Sequence, residues 1–419
     1  MPQALEGIKV IDVSQVAAVP MTARHLADFG ADVIHIENPV TGDSWRVYQA
    51  GQGGVTGVPS EVNYNWEVYN RNKRSMSLNL SQEEGRKIIY KMLEKADVFV
   101  TNLRLVERQE FGLEYDTLNQ LNPRLIYGSL TGYGKKGPDK DLPAYDATAY
   151  WTMAAIPYML STPGIRTAGF RPAFGDNVAA LALAFGIMTS LFVREKTGVG
   201  QEVDLSLFNI GVYQLSFDIA GALVSGQDFA EWRMNRYIED EERMKHHEEL
   251  VAEAEAAAEL IRDFFRENAP NPLGLPYETK DGRRLVFIIL LADRYWPRFC
   301  RVIEREDLEH DPRFNSIEAR SENHLELYHI FKEAFLSKTL DEWKPLLADI
   351  PYAYDRNLLE VINDPQARAN DFFVPFDHPT YGRMEVIANP IRLSETPASI
   401  RMPAPEFSQH TEEVLLELG

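Results

Sequence analysis

Apolar and polar positions along the first two hundred residues switch between two periods, and each switch marks an element. Residues 8–13 (Ile-Lys-Val-Ile-Asp-Val) are a short β-branched run that fits a pleated sheet surface. Residues 20–29 carry apolar side chains at helical spacing and end at Gly30, the residue type that most readily closes a helix in the left-handed conformation. Residues 31–36 return to the strand pattern and stop at Glu37. Strand, helix and strand within about thirty residues make the βαβ unit of parallel sheets. The alternation continues through helix 82–95, strand 97–102, helix 115–122 and strand 124–130. The expected fold is α/β, with a large doubly wound parallel-sheet domain.

Residues 178–193 are an apolar run whose only turn residue is Gly186, which predicts a buried helix. Asp176 stands at its entrance, directly after Gly175. A carboxylate there feels the positive end of the helix and its unpaired N–H groups, so it is expected to stay ionised and fixed in direction. The same position suits an ordinary N-cap, and spacing leaves both roles open. A charged, glycine-punctuated turn then leads into strand 201–207, and 132–143 reads as a turn-rich loop bearing lysines. The character changes at 225. A strongly charged helical stretch spans 239–267, an extended segment from 271 turns at Lys280-Asp281-Gly282 into apolar strand 284–291, and helical patterns fill 294–348. A hairpin turn is expected at 378–383 and a short helix from Thr411. The expected organisation is a large domain from 1–224, an inserted smaller α+β domain from 225–350, and a linker with return to the large domain from 351–419.

Composition narrows the chemistry. A chain of 419 residues with net charge −20 repels nucleic acid and anionic membranes, so neither is an expected partner. No window has the eighteen or so uninterrupted apolar residues of a membrane span, and the first residues lack a signal-peptide pattern. The single cysteine, Cys300, rules out an internal disulfide framework and suits a reducing compartment, so a cytoplasmic location is expected. His246 and His247 are adjacent and point to different helix faces, and no other cluster has ligand spacing; no metal is expected. The first strand–helix connection, 14–20, contains no glycine, which disfavours a nicotinamide or flavin dinucleotide.

An ordered set of segments then carries a resemblance. They are Leu5-Glu-Gly-Ile-Lys-Val-Ile-Asp, Ala27-Asp-Phe-Gly-Ala-Asp, Gly42-Asp-Ser-Trp-Arg, Asn70-Arg-Asn-Lys-Arg-Ser, Gly132-Tyr-Gly, Leu142-Pro-Ala-Tyr-Asp, Gly175-Asp, Lys196-Thr-Gly-Val-Gly-Gln, Thr279-Lys-Asp-Gly and His410-Thr-Glu-Glu-Val-Leu. In this order the chain resembles the class III CoA-transferases, the formyl-CoA:oxalate and carnitine CoA-transferase family. The resemblance implies coenzyme A as substrate and product, an acyl-CoA and a carboxylic acid as partners, and an interlocked homodimer with its site between large and small domains. A paired unlike subunit is also known in the family. Asp176 is the implied catalytic residue, cycling through aspartyl anhydride and aspartyl-CoA thioester. Backbone N–H groups of the loop with Gln15, Val16, Ala17 and Ala18 are the candidates for holding substrate oxyanions. Lys73, Arg74, Asn102, Arg104, Lys135 and Lys136 fall in the segments implied to contact CoA, whose phosphates need local cations in so acidic a chain.

Some positions depart from the family pattern. Ala17 stands where the oxalate branch has glutamine, and no tetraglycine run is present, so oxalate is disfavoured. The same fold hosts α-methylacyl-CoA racemases, whose His–Asp pair exchanges an α-proton. Here Ala144-Tyr145-Asp146 replaces their Gly-His-Asp, and no histidine lies between His35 and His246, which leaves that chemistry without its base. Trp45, Tyr48, Tyr64, Trp66, Tyr69, Tyr150 and Trp151 are candidates for either an acyl pocket or core. The segment from Asn271 resembles the branch acting on aryl and hydroxy acids or substituted succinates.

Overall fold

The computed structural model describes residues 2–46, 58, 60–160, 171–228, 271–287, 289 and 292–419. The charged stretch 239–267 with His246 and His247, and the candidate aromatic Tyr48, lie outside the described residues.

The larger unit is built on six parallel strands in the order β3-β2-β1-β4-β5-β6. These are β1 (Lys9–Val13), β2 (Asp32–Glu37), β3 (Arg74–Ser77), β4 (Val98–Thr101), β5 (Ile126–Thr131) and β6 (Glu202–Ser206). Helices α1 (Ala18–Asp28), α2 (Tyr64–Asn70), α3 (Glu83–Leu93), α4 (Leu105–Phe111), α5 (Tyr115–Leu121), α6 (Ile156–Leu160) and α7 (Phe174–Thr197) connect or cover them. Period-two alternation along the strands separates two cores. Val10, Val33, Val98 and Ile126 face α1 and α7, while Ile11, Ile34, Phe99 and Tyr127 face α3 and α5. The chain winds outward from β1 to β3, then restarts at β4 on the other side of β1. That reversal leaves a crevice at the carboxyl ends of β1 and β4, where open α/β sheets bind ligands.

Helix α7 differs from the expected fully buried helix. Ala179, Leu183 and Ile187 lie under the sheet, but Phe185 and Phe192 on its other face are 76% and 62% exposed. One face of the helix is covered by the sheet, and the other is left exposed among the described residues. By length and composition α7 is apolar enough to cross a membrane, a test that core helices also pass.

The smaller unit comprises the described part of 221–364 together with Tyr158 and its neighbours. Strands β7 (Pro276–Glu278), β8 (Arg284–Phe287) and β9 (Tyr352–Tyr354) form an antiparallel sheet. It packs on aromatic side chains including Tyr277, Phe299, Phe331, Phe335 and Trp343. The expected boundary at 350 falls short because β9 pairs with β8, Leu285 opposite Tyr354, which carries the unit on to Asp364. Cys300 is buried filler there, its thiol pushed up to about 12 chiefly by burial. From Pro365 the chain returns to the larger unit. It adds hairpin β10 (Phe373–His378) and β11 (Gly382–Ile387) and a final helix, Thr411–Leu418.

Candidate active site

Asp176 occupies the third position of α7, whose N-cap is Ala173 in the left-handed conformation, φ 65°. It caps nothing. The acceptor for the exposed first turn is Asp146, which receives the Gly175 N–H at 2.9 Å and the Trp151 indole N–H at 3.3 Å. This arrangement requires glycine at 175: a Cβ there would lie 2.2 Å from Tyr150 Cγ and 2.4 Å from Asp146 Oδ1. A π-helical turn, Ala147–Thr152, brings Tyr150 and Trp151 beneath the helix end.

With its cap supplied by Asp146, the Asp176 carboxyl accepts no hydrogen bond from any described residue. Burial, then the charge of Asp146, pushes its pKa up to about 7. The expected firmly ionised carboxylate is therefore corrected. The field of the helix end is spent on Asp146, and desolvation of Asp176 outweighs it. Tyr69 adjoins both carboxylates, and burial followed by their two charges raises its phenol far above the ordinary tyrosine value. Its ring stacks on Trp45, centroids 5.9 Å apart and planes within 7°.

The first loop reaches the same place. Val16 and Ala17 cluster with Met21, Trp45, Tyr69, Ala173 and Ala180, so the N-termini of α1 and α7 meet around Tyr69. Thr22 Oγ1 on α1 donates to Ala180 O on α7 at 3.3 Å. Val16 is left-handed, φ 69°, a strained state for a β-branched residue. Its N–H is held by both oxygens of Asp43 at 3.2 Å and is thus not free for an oxyanion. Ala17 and Ala18, the N-cap and first residue of α1, are buried with no side-chain cap. Gln15 is exposed, and its backbone is clasped by Asn102, which accepts from Gln15 N at 3.0 Å and donates to Gln15 O at 2.7 Å. Asn102 therefore ties the ends of β1 and β4 together. Beside this clasp a cavity of about 170 Å³ is lined by Val13, Gln15, Leu78, Leu103, Glu107 and Phe111, among others.

The expected basic residues separate into two groups. Lys73 is fully buried, its ammonium 2.9 Å from Asp12 and 2.7 Å from Asn70 Oδ1; it has no face left for a phosphate. Arg74 is held by Asp32, Glu413 and Glu417 at 2.7–2.8 Å, which fastens the final helix to β3. Both depart from the expected CoA contacts because a cation beside internal carboxylates is neutralised by them first. Arg104 remains exposed beside the cavity, in a surface pair with Glu107 at 3.1 Å. Lys135 pairs with Glu202 at 2.6 Å and lines a second, more open hollow with Lys140, and Lys136 is exposed. Among the described residues no group of three or more His, Cys, Asp and Glu side chains is placed to hold a metal.

Sequence reasoning placed Asp146 only in the Leu142-Pro-Ala-Tyr-Asp segment and at the aspartate of the racemase motif, and missed it as the acceptor at the end of α7. It also gave no role to Asp43, quoted only as part of the Gly42-Asp-Ser-Trp-Arg segment.

A family model described as CoA-transferase family III matches residues 5–238 and 262–411. The chain is 34% identical over 420 residues to (R)-2-hydroxy-4-methylpentanoate CoA-transferase from Clostridioides difficile, covering 99% of this chain and 95% of that protein. It is 32% identical over 416 residues to cinnamoyl-CoA:phenyllactate CoA-transferase from Clostridium sporogenes, with 99% and 93% covered. The crystal structure of a CaiB/BaiF family protein from Brucella suis superposes with TM-score 0.77 at 25% identity over all of both chains. The family match and the coverage of these relatives run through most of the sequence, and the chain belongs to CoA-transferase family III.

Proposed function

We propose that Asp176 is the covalent carrier of this CoA-transferase. One Asp176 oxygen attacks the thioester carbonyl of an acyl-CoA, a C–O bond forms, the C–S bond breaks, and CoA leaves as thiolate. The thiolate attacks the aspartyl carbonyl of the resulting anhydride and expels the donor carboxylate, giving aspartyl-CoA thioester. An acceptor carboxylate repeats the sequence in reverse, and CoA departs on the new acyl group. No net proton moves, and each acyl species is about as activated as the thioester it replaces. What carries the reading is an Asp176 carboxyl that caps nothing, accepts no hydrogen bond from a described residue, and has a pKa raised to about 7. Such a carboxylate is more basic than an ordinary one and correspondingly more nucleophilic.

The α1 N-terminus at Ala17 and Ala18 supplies the candidate oxyanion donors. The crevice cavity with Leu78, Leu103 and Phe111 suits the adenine end of CoA, with Arg104, Lys135 and Lys136 toward the phosphates. The Trp45–Tyr69 stack favours an acceptor with an apolar or aryl side chain. Both relatives named above act on 2-hydroxy acids of that kind, and a 2-hydroxy acid is the acceptor class proposed here. The exposed apolar stripe of α7 supports a homodimer, and a lone buried thiol fits the cytoplasm.

The test is to incubate the protein with cinnamoyl-CoA and phenyllactate, trap with hydroxylamine or borohydride, and map the modified residue by mass spectrometry. Modification at Asp176 is expected, and Asp176→Ala should abolish exchange. CoA exchange at an undiminished rate in Asp176→Ala would remove the proposal.

A further inference from the structure

We infer that Asp43 is a positioning residue for the transfer, one that holds the first loop in a strained conformation through Val16. The inference rests on the Asp176 reading given above. Asp43 is buried and touches three groups that bear on the site. Its two oxygens accept the Val16 N–H at 3.2 Å each, and one accepts the Trp45 N–H at 2.9 Å. His35 Nε2 lies 3.6 Å away.

Behind Asp43 stands a balanced set of buried charges. His35 Nδ1 and Lys73 Nζ each lie 2.9 Å from the same oxygen of Asp12, and Ser14 Oγ donates to the other oxygen. Two carboxylates, Asp12 and Asp43, thus face two cationic side chains, His35 and Lys73, all with fully buried side chains. An arrangement of this kind is expensive to desolvate and is weak support for stability by itself. Two of its members, Asp12 and Ser14, sit at the end of β1 immediately before the loop, and Asp43 grips the loop from the other side.

The conformation it grips needs holding. A β-branched residue at φ 69° relaxes to negative φ unless surrounding contacts prevent it. Turning Val16 would swing Ala17 and Ala18, and with them the uncapped N–H groups of α1, away from the cluster that contains Tyr69 and Ala173. Trp45, fixed by the same carboxylate, would lose its register on Tyr69. Asp43 therefore acts on the reacting carboxyl through Val16 and Trp45 and touches no substrate.

The experiment is a double-mutant cycle, with single-turnover acylation of Asp176 by cinnamoyl-CoA as one readout and KM for cinnamoyl-CoA as the other. Asp43→Asn should slow acylation by about 30-fold or more, as sub-ångström misplacement does, while KM moves less than about threefold. Glycine adopts positive φ without strain. Val16→Gly in the Asp43→Asn background should therefore regain at least about tenfold in acylation. Asp43→Asn with unchanged acylation overturns the inference, as does a double variant that shows no recovery. If Asp43→Asn fails to fold, the double variant must fold and acylate, and its failure also overturns the inference. Each of these results leaves the Asp176 reading intact, whereas acylation persisting in Asp176→Ala defeats that reading and leaves the Val16–Asp43 coupling measurable.

Discussion

Replacing Asp176 by asparagine removes a charge that the fold disfavours. Burial and the Asp146 carboxylate raise the Asp176 pKa from 3.8 to about 7, so the folded chain keeps this proton to higher pH than the unfolded chain does. The sign follows from linkage. The contribution to stability is complete below the unfolded value and is lost as pH rises toward the folded one. Over the interval from 3.8 to about 7 the loss reaches roughly 4 kcal/mol at about 1.4 kcal/mol per unit. Residue 176 as a whole is only half-buried, and halving the figure for screening gives about 2 kcal/mol. Asparagine carries no such penalty. Asp176→Asn is therefore expected to be more stable than the parent by about 2 kcal/mol at pH 8, with roughly half that gain at pH 5.5. Urea unfolding of both proteins at several pH values between these limits measures the difference, in which titrating groups not coupled to Asp176 cancel. A gain that is absent at pH 8, or that is the same at both ends, refutes the raised pKa. The expected pairing of higher stability with lost CoA transfer is the usual trade at a site built for reaction.

Other substitutions test neighbouring parts. Gly175→Ala drives a methyl group into Tyr150 and Asp146 and should destabilise by about 1–3 kcal/mol in urea unfolding; an unchanged midpoint would mean that the helix end yields freely. Asp146→Asn keeps an acceptor for the Gly175 N–H but removes the nearby charge, so the Asp176 pKa falls and the acid limb of kcat/KM moves down by up to about one pH unit; an unmoved limb refutes the coupling. Lys73→Met leaves Asp12 with His35 as its only charged partner and should lose about 3–5 kcal/mol without raising KM for CoA, whereas Arg104→Ala should raise that KM about 3- to 10-fold at unchanged stability; the opposite pattern would return Lys73 to the phosphates. Phe185→Asp on the exposed face of α7 should shift the protein to a smaller species in size-exclusion chromatography, and an unshifted elution removes that face from the proposed dimer.

The sheet was legible because its signal is local. β-branched runs of five or six residues, separated by helices with one apolar face, specify βαβ units wherever they fall. The alternation specified a parallel sheet without its strand order; the order, and the crevice that follows from it, came from the structure. Asp176 was legible as a position and misjudged as a charge. The helix end is visible in sequence, but the carboxylate that occupies it, Asp146, comes from thirty residues earlier, at the start of the π-helical turn. Lys73 and Arg74 failed for the complementary reason: motif membership places a residue in the chain without giving the direction it faces. Lys73 follows α2 and precedes β3, and its side chain turns inward because Asp12 on β1 lies buried one strand beyond β2. No spacing rule carries that information. The boundary at 350 failed because an edge strand of three residues, β9, is too short to show a period.

Three departures from local rules gather around Tyr69: a left-handed valine at 16, a left-handed alanine at 173 that begins a helix, and an aspartate whose burial works against its charge. Each is unfavourable where it stands. The first two are also held by a group from elsewhere in the sequence, Asp43 for Val16 and Asp146 for the end of α7. Strain that is scattered among loops carries no message, because each instance can relax without consequence for the others. Here both held elements are helix N-termini, and they converge on one carboxyl with no hydrogen-bond partner among the described residues. In a fold otherwise consistent from strand pattern to core, such a convergence supports the proposed role of Asp176 as the reacting group. The two holding aspartates, more than the basic residues of the motifs, are therefore where substitution should separate transfer rate from CoA affinity.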